Sequence, residues 1–79
     1  ISDETIGEIY SFAYSKFQEG SYADACELFK MLLTLDTLNP HFALSLGICH
    51  HRLKNYPHAL QCYMLTVLLN NEDPVPFFY

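Results

Sequence analysis

The chain is 79 residues long, which is enough for one small domain. Hydrophobic residues make up 51% of it, which excludes a disordered protein, and no apolar run approaches the roughly 18 residues that cross a bilayer. Nine acidic residues against four basic ones give a net charge of −5, which excludes the basic surface that nucleic acids and anionic membranes attract. We therefore expect a protein partner, no nucleic acid and no membrane insertion.

Two helices are predicted in the first half of the chain. Apolar residues recur with helical spacing over residues 3–19, and acidic residues near the start favour the positive end of the helix dipole. Gly20 is suited to end this helix in the left-handed conformation, which costs glycine little. Ser21 is placed to cap a second helix over residues 22–35. The second helix should bury an apolar stripe made of Ala25, Leu28, Phe29, Leu32, Leu33 and Leu35.

Two further helices and the start of a fifth are predicted in the second half. Asn39-Pro40 combines a favourable N-cap with proline at the first helical position, which predicts a helix over about 40–53. Its packing side carries Phe42, Ala43, Leu46, Gly47 and Leu53. Asn55 is expected to cap a fourth helix over about 56–70. Asp73-Pro74 repeats the Asn39-Pro40 pattern, so a fifth helix should begin there.

The sequence repeats its pattern of residue types with a period of 34 residues. At this offset, small residues align with small residues and aromatic residues with aromatic ones: Ala13 with Gly47, Tyr22 with Tyr56, Ala25 with Ala59 and Phe29 with Tyr63. A 34-residue period with two helices per repeat is the signature of the tetratricopeptide repeat. We therefore predict an all-α fold, a right-handed solenoid of helical hairpins. The single domain would span residues 1–79, with repeats at about 6–38 and 40–72 and the start of a third at 74–79.

Only the residues PVPFFY of the fifth helix are present, and solenoids normally end in a polar capping element. Two repeats also fall short of the roughly three that independent stability usually needs. We therefore expect the chain to be a piece of a longer protein. Its aromatic end predicts self-association, either of this piece or as a homodimer.

The first helix of each pair carries a second apolar face, opposite its packing residues. In a solenoid this face lines the concave surface, and an exposed apolar surface of this extent usually marks a binding site. We predict that an extended peptide binds the residues of this face: Tyr10, Tyr14, Phe17, His41, Leu44, Ile48, His51 and Phe78. The alternative is that these residues are buried against an N-terminal segment or a second copy of the chain.

The cysteines and the N-terminus indicate the compartment. Cys26, Cys49 and Cys62 are odd in number and show no paired spacing, which argues against disulfides and fits a reducing environment. The N-terminal segment ISDETIGEIY lacks the basic start and apolar core of a signal peptide. Both features predict a cytoplasmic location.

Almost the whole chain resembles the class II chaperones of bacterial type III secretion, which are small acidic tetratricopeptide-repeat proteins. The resemblance is carried by IYSFAYSKFQEGSYADACELFKMLLTLD and the following HFALSLGICHHRLKNYPHALQCYMLTVLLNNEDPVPFFY. Its most specific parts are the block from Ile9 to Ala25, the LGICHH-type third helix and the DPVPFF start of the third repeat. Lys54 departs from the family pattern, in which a glycine usually closes the turn.

The resemblance implies a bacterial cytoplasmic chaperone that is not an enzyme, and we expect no cofactor. Family members bind an extended Pro- and Leu-containing segment of a translocator subunit and keep it soluble until export. They commonly have a dimerising N-terminal helical segment followed by three repeats. By position, the residues that match the family groove are Tyr10, Tyr14 and Phe17 in the first repeat and His41, Leu44 and Ile48 in the second.

Three other functions are less well supported. His58 and Cys62 lie one helical turn apart, but structural zinc needs four converging ligands, so a metal-binding helical protein is a remote alternative. Catalysis is not expected, because the chain has no glycine-rich phosphate loop and neighbouring Cys and His residues on a helix point in different directions. A tetratricopeptide scaffold module or a needle-subunit chaperone stays open. Grooves that clamp a C-terminal carboxylate use lysines and arginines, and this groove offers only Arg52 nearby.

Overall fold

A computed structural model describes residues 2–70, which form four helices and no strand. The helices are α1 (Asp3–Gln18), α2 (Tyr22–Leu35), α3 (Pro40–Arg52) and α4 (Tyr56–Asn70). The predicted all-α fold of helical hairpins is confirmed, and each predicted helix boundary lies within one residue of the observed one. The predicted fifth helix lies outside the described residues, as does Phe78.

The turns inside the two hairpins have the same backbone hydrogen bonds. In the first, the N–H groups of Gly20 and Ser21 donate to the carbonyl oxygens of Phe17 and Lys16, both at 3.0 Å. In the second, Lys54 and Asn55 donate to His51 and His50 at 2.9 and 2.8 Å. This is the Schellman arrangement, which needs a left-handed residue after the helix. Gly20 has this left-handed conformation at φ 86°, as predicted. Lys54 has it at φ 62°, although the Cβ atom of lysine disfavours it.

The helix starts agree with the sequence predictions in one case and differ in another. Asn39 caps α3 as predicted, because its side chain accepts a hydrogen bond of 2.9 Å from the His41 N–H. Ser21 occupies the N-cap position of α2, but its side chain makes no capping hydrogen bond, so that prediction was wrong. Ser21 has φ −83° and ψ 65°, outside the extended conformation of most N-caps, whereas Asn39 has ψ 109°.

The four helices pack in chain order, with α1 on α2, α2 on α3 and α3 on α4. Their buried core includes Ala13, Ala25, Cys26, Phe29, Leu32, Phe42, Leu46 and Cys49. Small residues allow the helices to cross closely. A Cβ atom added to Gly47 would lie 2.8 Å from the Tyr63 ring and 3.0 Å from the Cys62 Cβ. Leucine or any larger side chain would therefore force α3 away from α4.

Some residues predicted to be buried are exposed at the ends of helices. Leu35, the last residue of α2, is 39% exposed, and Leu53, just after α3, is 41% exposed. Tyr22 and Tyr56 are equivalent in the repeat, yet Tyr22 is half-buried and Tyr56 is exposed. The difference arises because Arg52, from the next helix, covers the Tyr22 ring at 5.7 Å. Among residues 2–70, Tyr56 has an edge-on contact with the His51 ring but no cation over its own ring.

Candidate peptide-binding groove

The groove lies between α1 and α3, which run in the same direction. Tyr10 of α1 is 5.6 Å from Phe42 of α3 between ring centroids, and further along the same helices the Arg52 guanidinium is 5.6 Å from the Phe17 ring. Residues later in α1 thus meet residues later in α3. The parallel arrangement places the apolar faces of the two helices side by side, as the repeat predicted.

The centre of the groove holds a small apolar cavity of about 40 Å³. Its lining comes from three helices: Tyr14, Phe17, Phe29, Ser45 and Ile48. The α2 residue in this set is Phe29, which is 1% exposed and so lies at the bottom. Since one water molecule needs roughly 10–15 Å³ of such volume, the cavity has room for a small apolar side chain. The side chains that line it are almost entirely carbon at their accessible surface, apart from the serine.

A second depression lies beside the first, nearer the start of α1. It has a volume of about 450 Å³ and is lined by Tyr10, Ser11 and Tyr14. The Tyr14 ring separates the two spaces, with its centroid 6.3 Å from that of Tyr10 and 6.4 Å from that of Phe17. An extended segment running along α1 would therefore meet a continuous series of aromatic rings.

Tyr10 and Phe17 each contribute to the core as well as to the groove. The Tyr10 ring contacts Phe29 edge-on, with centroids 5.9 Å apart, and the Phe17 ring contacts Tyr22 in the same way at 5.1 Å. Both residues are half-buried, whereas Tyr14 is 48% exposed. Tyr14 is thus the predicted α1 residue with the most surface available to a ligand.

The predicted α3 residues are spread along the groove. Ile48 lines the cavity, and Leu44 is 40% exposed one turn earlier. His41 is exposed in the first turn of α3 and does not line the cavity. His51 lies towards α4, where its Nδ1 atom is 3.3 Å from the Tyr63 hydroxyl and its ring meets Tyr56 edge-on. The described residues therefore bring Tyr14, Phe17 and Ile48 together and leave His41 and His51 apart.

Sequence reasoning missed the serines and assigned Phe29 to the scaffold alone. Ser45 lines the cavity and Ser11 lines the neighbouring depression. The two serines are separated by the 34-residue period, and that identity was the signal that could have found them. They occupy the same position on α1 and α3, and each adds a hydroxyl beside those of Tyr10 and Tyr14.

The Cys26 thiol and the His50 imidazole meet in the core between the two repeats. The Cys26 Sγ atom is 3.7 Å from Nε2 of His50, but burial raises the pKa of the Cys26 thiol, with Glu27 adding to this and Lys30 opposing it. A nucleophilic cysteine needs the opposite shift. In residues 2–70, no three His, Cys, Asp or Glu side chains are placed to hold a metal ion. In the same residues, no helix is long and apolar enough to cross a membrane.

Comparisons of sequence find relatives over most of the chain. The family model for the tetratricopeptide repeat matches residues 7–39. The low calcium response locus protein H of Yersinia pestis is 32% identical over 74 residues, which is 94% of this chain and 44% of that protein.

Similar solved structures share this fold, and some of them hold a bound segment of a partner. PcrH in complex with the chaperone binding region of PopD superposes with a TM-score of 0.88 at 31% identity, covering 94% of this chain and 56% of PcrH. SycD of Yersinia enterocolitica, in complex with a peptide of the translocator YopD, gives a TM-score of 0.85 at 32% identity, covering 92% of this chain and 56% of that chain. SycD has also been solved as an alternative dimer. This chain spans about half the length of these proteins.

Proposed function

Because the chain belongs to the tetratricopeptide-repeat proteins and is homologous to the translocator chaperones of type III secretion, we propose that it binds an extended apolar segment of a translocator. Binding would keep that segment soluble until export. The observation that carries the proposal is the apolar groove between α1 and α3, whose cavity is lined by Tyr14, Phe17 and Ile48. Relatives with the same fold hold translocator segments.

The groove surface supports binding rather than catalysis. Tyr14 and Leu44 leave about half and two fifths of their surfaces in water, so covering them with an apolar ligand is favourable. None of the residues that line the cavity is charged, and the lining offers no general base to its two hydroxyl-bearing residues, Tyr14 and Ser45. We propose a chaperone without enzymatic activity that acts in the bacterial cytoplasm. The proposed binding residues within the described chain are Tyr10, Tyr14, Phe17, His41, Leu44, Ile48 and His51.

The proposed repeat boundaries follow from the helix pairs. Repeat 1, over about 6–38, contains most of α1 and all of α2, and repeat 2, over about 40–72, contains α3 and α4. The groove is built at the junction, because Phe29 of repeat 1 forms the floor beneath residues of both repeats. A bound segment would therefore contact both repeats at once.

The double variant Tyr14→Ala with Ile48→Ala tests the proposed function. It removes two cavity walls from residues that are not fully buried, so the helices should stay folded. Tyr10 is left intact because its contacts with Phe29 and Phe42 belong to the core. Isothermal titration with a synthetic peptide of a translocator's chaperone-binding region should show at least a tenfold loss of affinity, about 1.4 kcal/mol.

Phe12→Ala is the matched control for this experiment. Phe12 is also an aromatic residue of α1 and is 54% exposed, but it does not line the cavity or the neighbouring depression. The control should bind the peptide like the unmodified protein. Equal binding by the double variant, with unchanged helicity by circular dichroism, would exclude this groove as the binding site.

A further inference from the structure

Arg52 is held at the edge of the groove by two aromatic rings of the preceding repeat. Its guanidinium carbon is 5.6 Å from the Phe17 ring centroid and 5.7 Å from that of Tyr22. Cation–π contacts of this kind fix the position of a side chain that would otherwise move freely. Because Phe17 also lines the cavity, the positive charge lies beside the space proposed for an apolar side chain.

Within residues 2–70, Arg52 has no acidic partner. The salt bridges there are Lys16–Glu19 at 3.9 Å and Lys30–Glu27 at 3.3 Å. The side chain of Arg52 also makes no hydrogen bond to another described residue. Its planar set of N–H donors is suited to two parallel hydrogen bonds with a carboxylate, and those donors are available to a ligand.

The opposite edge of the groove has the reverse charge. The first turn of α1 carries Asp3 and Glu4, and Glu8 follows one turn later. A chain with a net charge of −5 repels acidic peptides over most of its surface. Glu19 lies at the same end of α1 as Arg52 but is paired with Lys16. An acidic side chain of a ligand is therefore favoured at the Arg52 edge and disfavoured at the other.

We infer that Arg52 is a specificity residue that binds a carboxylate side chain of the peptide held in this groove. The inference rests on the proposed function. An extended peptide advances about 3.3 Å per residue, so the acidic residue would lie within two positions of the apolar residue in the cavity. Arg52 would favour apolar segments that contain an acidic residue over uncharged segments of equal hydrophobicity. It would also set the direction in which the segment lies.

Paired peptides test this inference. Fluorescein-labelled apolar peptides carrying Glu or Gln within two positions of a central leucine are titrated against the protein by fluorescence anisotropy. The best Glu peptide should bind about five- to tenfold more tightly than its Gln counterpart, and this ratio should shrink as NaCl is raised from 50 to 500 mM. Arg52→Gln should bring the ratio to about one, and Arg52→Lys should keep part of it. Lys54→Gln, which removes a neighbouring charge with no ring contact, should leave the ratio unchanged.

The possible outcomes separate the two proposals. If both peptides bind the unmodified protein with equal affinity, the groove function stands and the role of Arg52 is wrong. If Arg52→Gln weakens both peptides by the same factor, Arg52 only clamps the two repeats together, and thermal unfolding of the variant would show the matching loss of stability. If neither peptide binds the unmodified protein, both proposals fall.

Discussion

The Sγ atom of Cys26 lies 3.7 Å from Nε2 of His50, so the two repeats meet through a buried thiol and a buried imidazole. The other ring nitrogen of His50, Nδ1, is 3.4 Å from the amide nitrogen of Asn55, an atom that can only donate. The His58 ring stacks on His50 with centroids 5.2 Å apart. This environment suits a neutral imidazole, because Asn55 offers a donor to Nδ1 and none of residues 2–70 pairs a carboxylate with the ring.

Acidification should destabilise the fold through His50. Burial, followed by the charges of His58 and Lys30, holds the pKa of His50 below its ordinary value of 6.5. The unfolded chain then binds more protons than the folded one as the pH falls below about 6.5, so the free energy of unfolding decreases in that range. Above that pH, His50 is neutral in both states and its contribution is constant. Chemical denaturation at intervals between pH 7 and pH 5 measures the slope.

His50→Gln should flatten this slope, and His58→Gln should flatten it in part, because His58 is the second cause of the lowered pKa. His41→Gln is the control, since His41 is exposed at the start of α3. Carboxylates titrate mainly below this pH window and should contribute equally to the slope in all three variants. An unchanged slope in His50→Gln would show that another group causes the acid sensitivity.

The three thiols should react with alkylating reagents at very different rates. Cys49 is fully buried, and burial, with a smaller effect of Cys26, raises its pKa to about 12. Cys62 is only half-buried. Because the thiolate is the reactive form, iodoacetamide should label Cys62 first and Cys49 last in the native protein. Mass spectrometry of timed digests gives the order in which the cysteines are labelled. Labelling in urea should abolish the differences in rate between them.

Replacing Lys54 with glycine should stabilise the protein by about 0.5–1 kcal/mol. Lys54 has a left-handed backbone at φ 62°, which costs a residue with a Cβ atom roughly 1–2 kcal/mol, and the greater flexibility of unfolded glycine offsets part of the gain. Urea denaturation measures the change. Lys54→Ala is the control, because it removes the charge but keeps the Cβ atom. A similar gain in Lys54→Ala would attribute the effect to charge.

The periodic part of the structure could be predicted from the sequence in detail. Apolar spacing, capping residues and the 34-residue period predicted all four helices, and Gly20 was predicted to be left-handed. Hydrophobic spacing also separated the groove face of α1, with Tyr14, from its packing face, with Ala13. These features depend on local backbone geometry and on the side of a helix that a residue occupies. Both follow from the order and spacing of residue types along the sequence.

Contacts between helices could not be predicted in the same way. Nothing in the spacing indicated that Arg52 would cover Phe17 or that His50 would meet Cys26. Such contacts depend on the crossing angle and on side-chain rotamers, which differ between equivalent positions of the two repeats. The repeat relates one hairpin to the next, but it does not specify how their side chains interdigitate.

Two helical glycines should respond in opposite ways to alanine. At Gly47, a new Cβ atom would lie 2.8 Å from the Tyr63 ring and 3.0 Å from the Cys62 Cβ, so Gly47→Ala should destabilise the protein by about 1–3 kcal/mol through overpacking. At Gly7, nothing lies within 4 Å of the added atom, so Gly7→Ala should stabilise α1 by about 0.5–1 kcal/mol. Thermal and urea unfolding of the two variants give the signs. Stabilisation by Gly47→Ala would mean that α3 and α4 do not cross as closely as the structure shows, because helix propensity alone favours alanine at both sites.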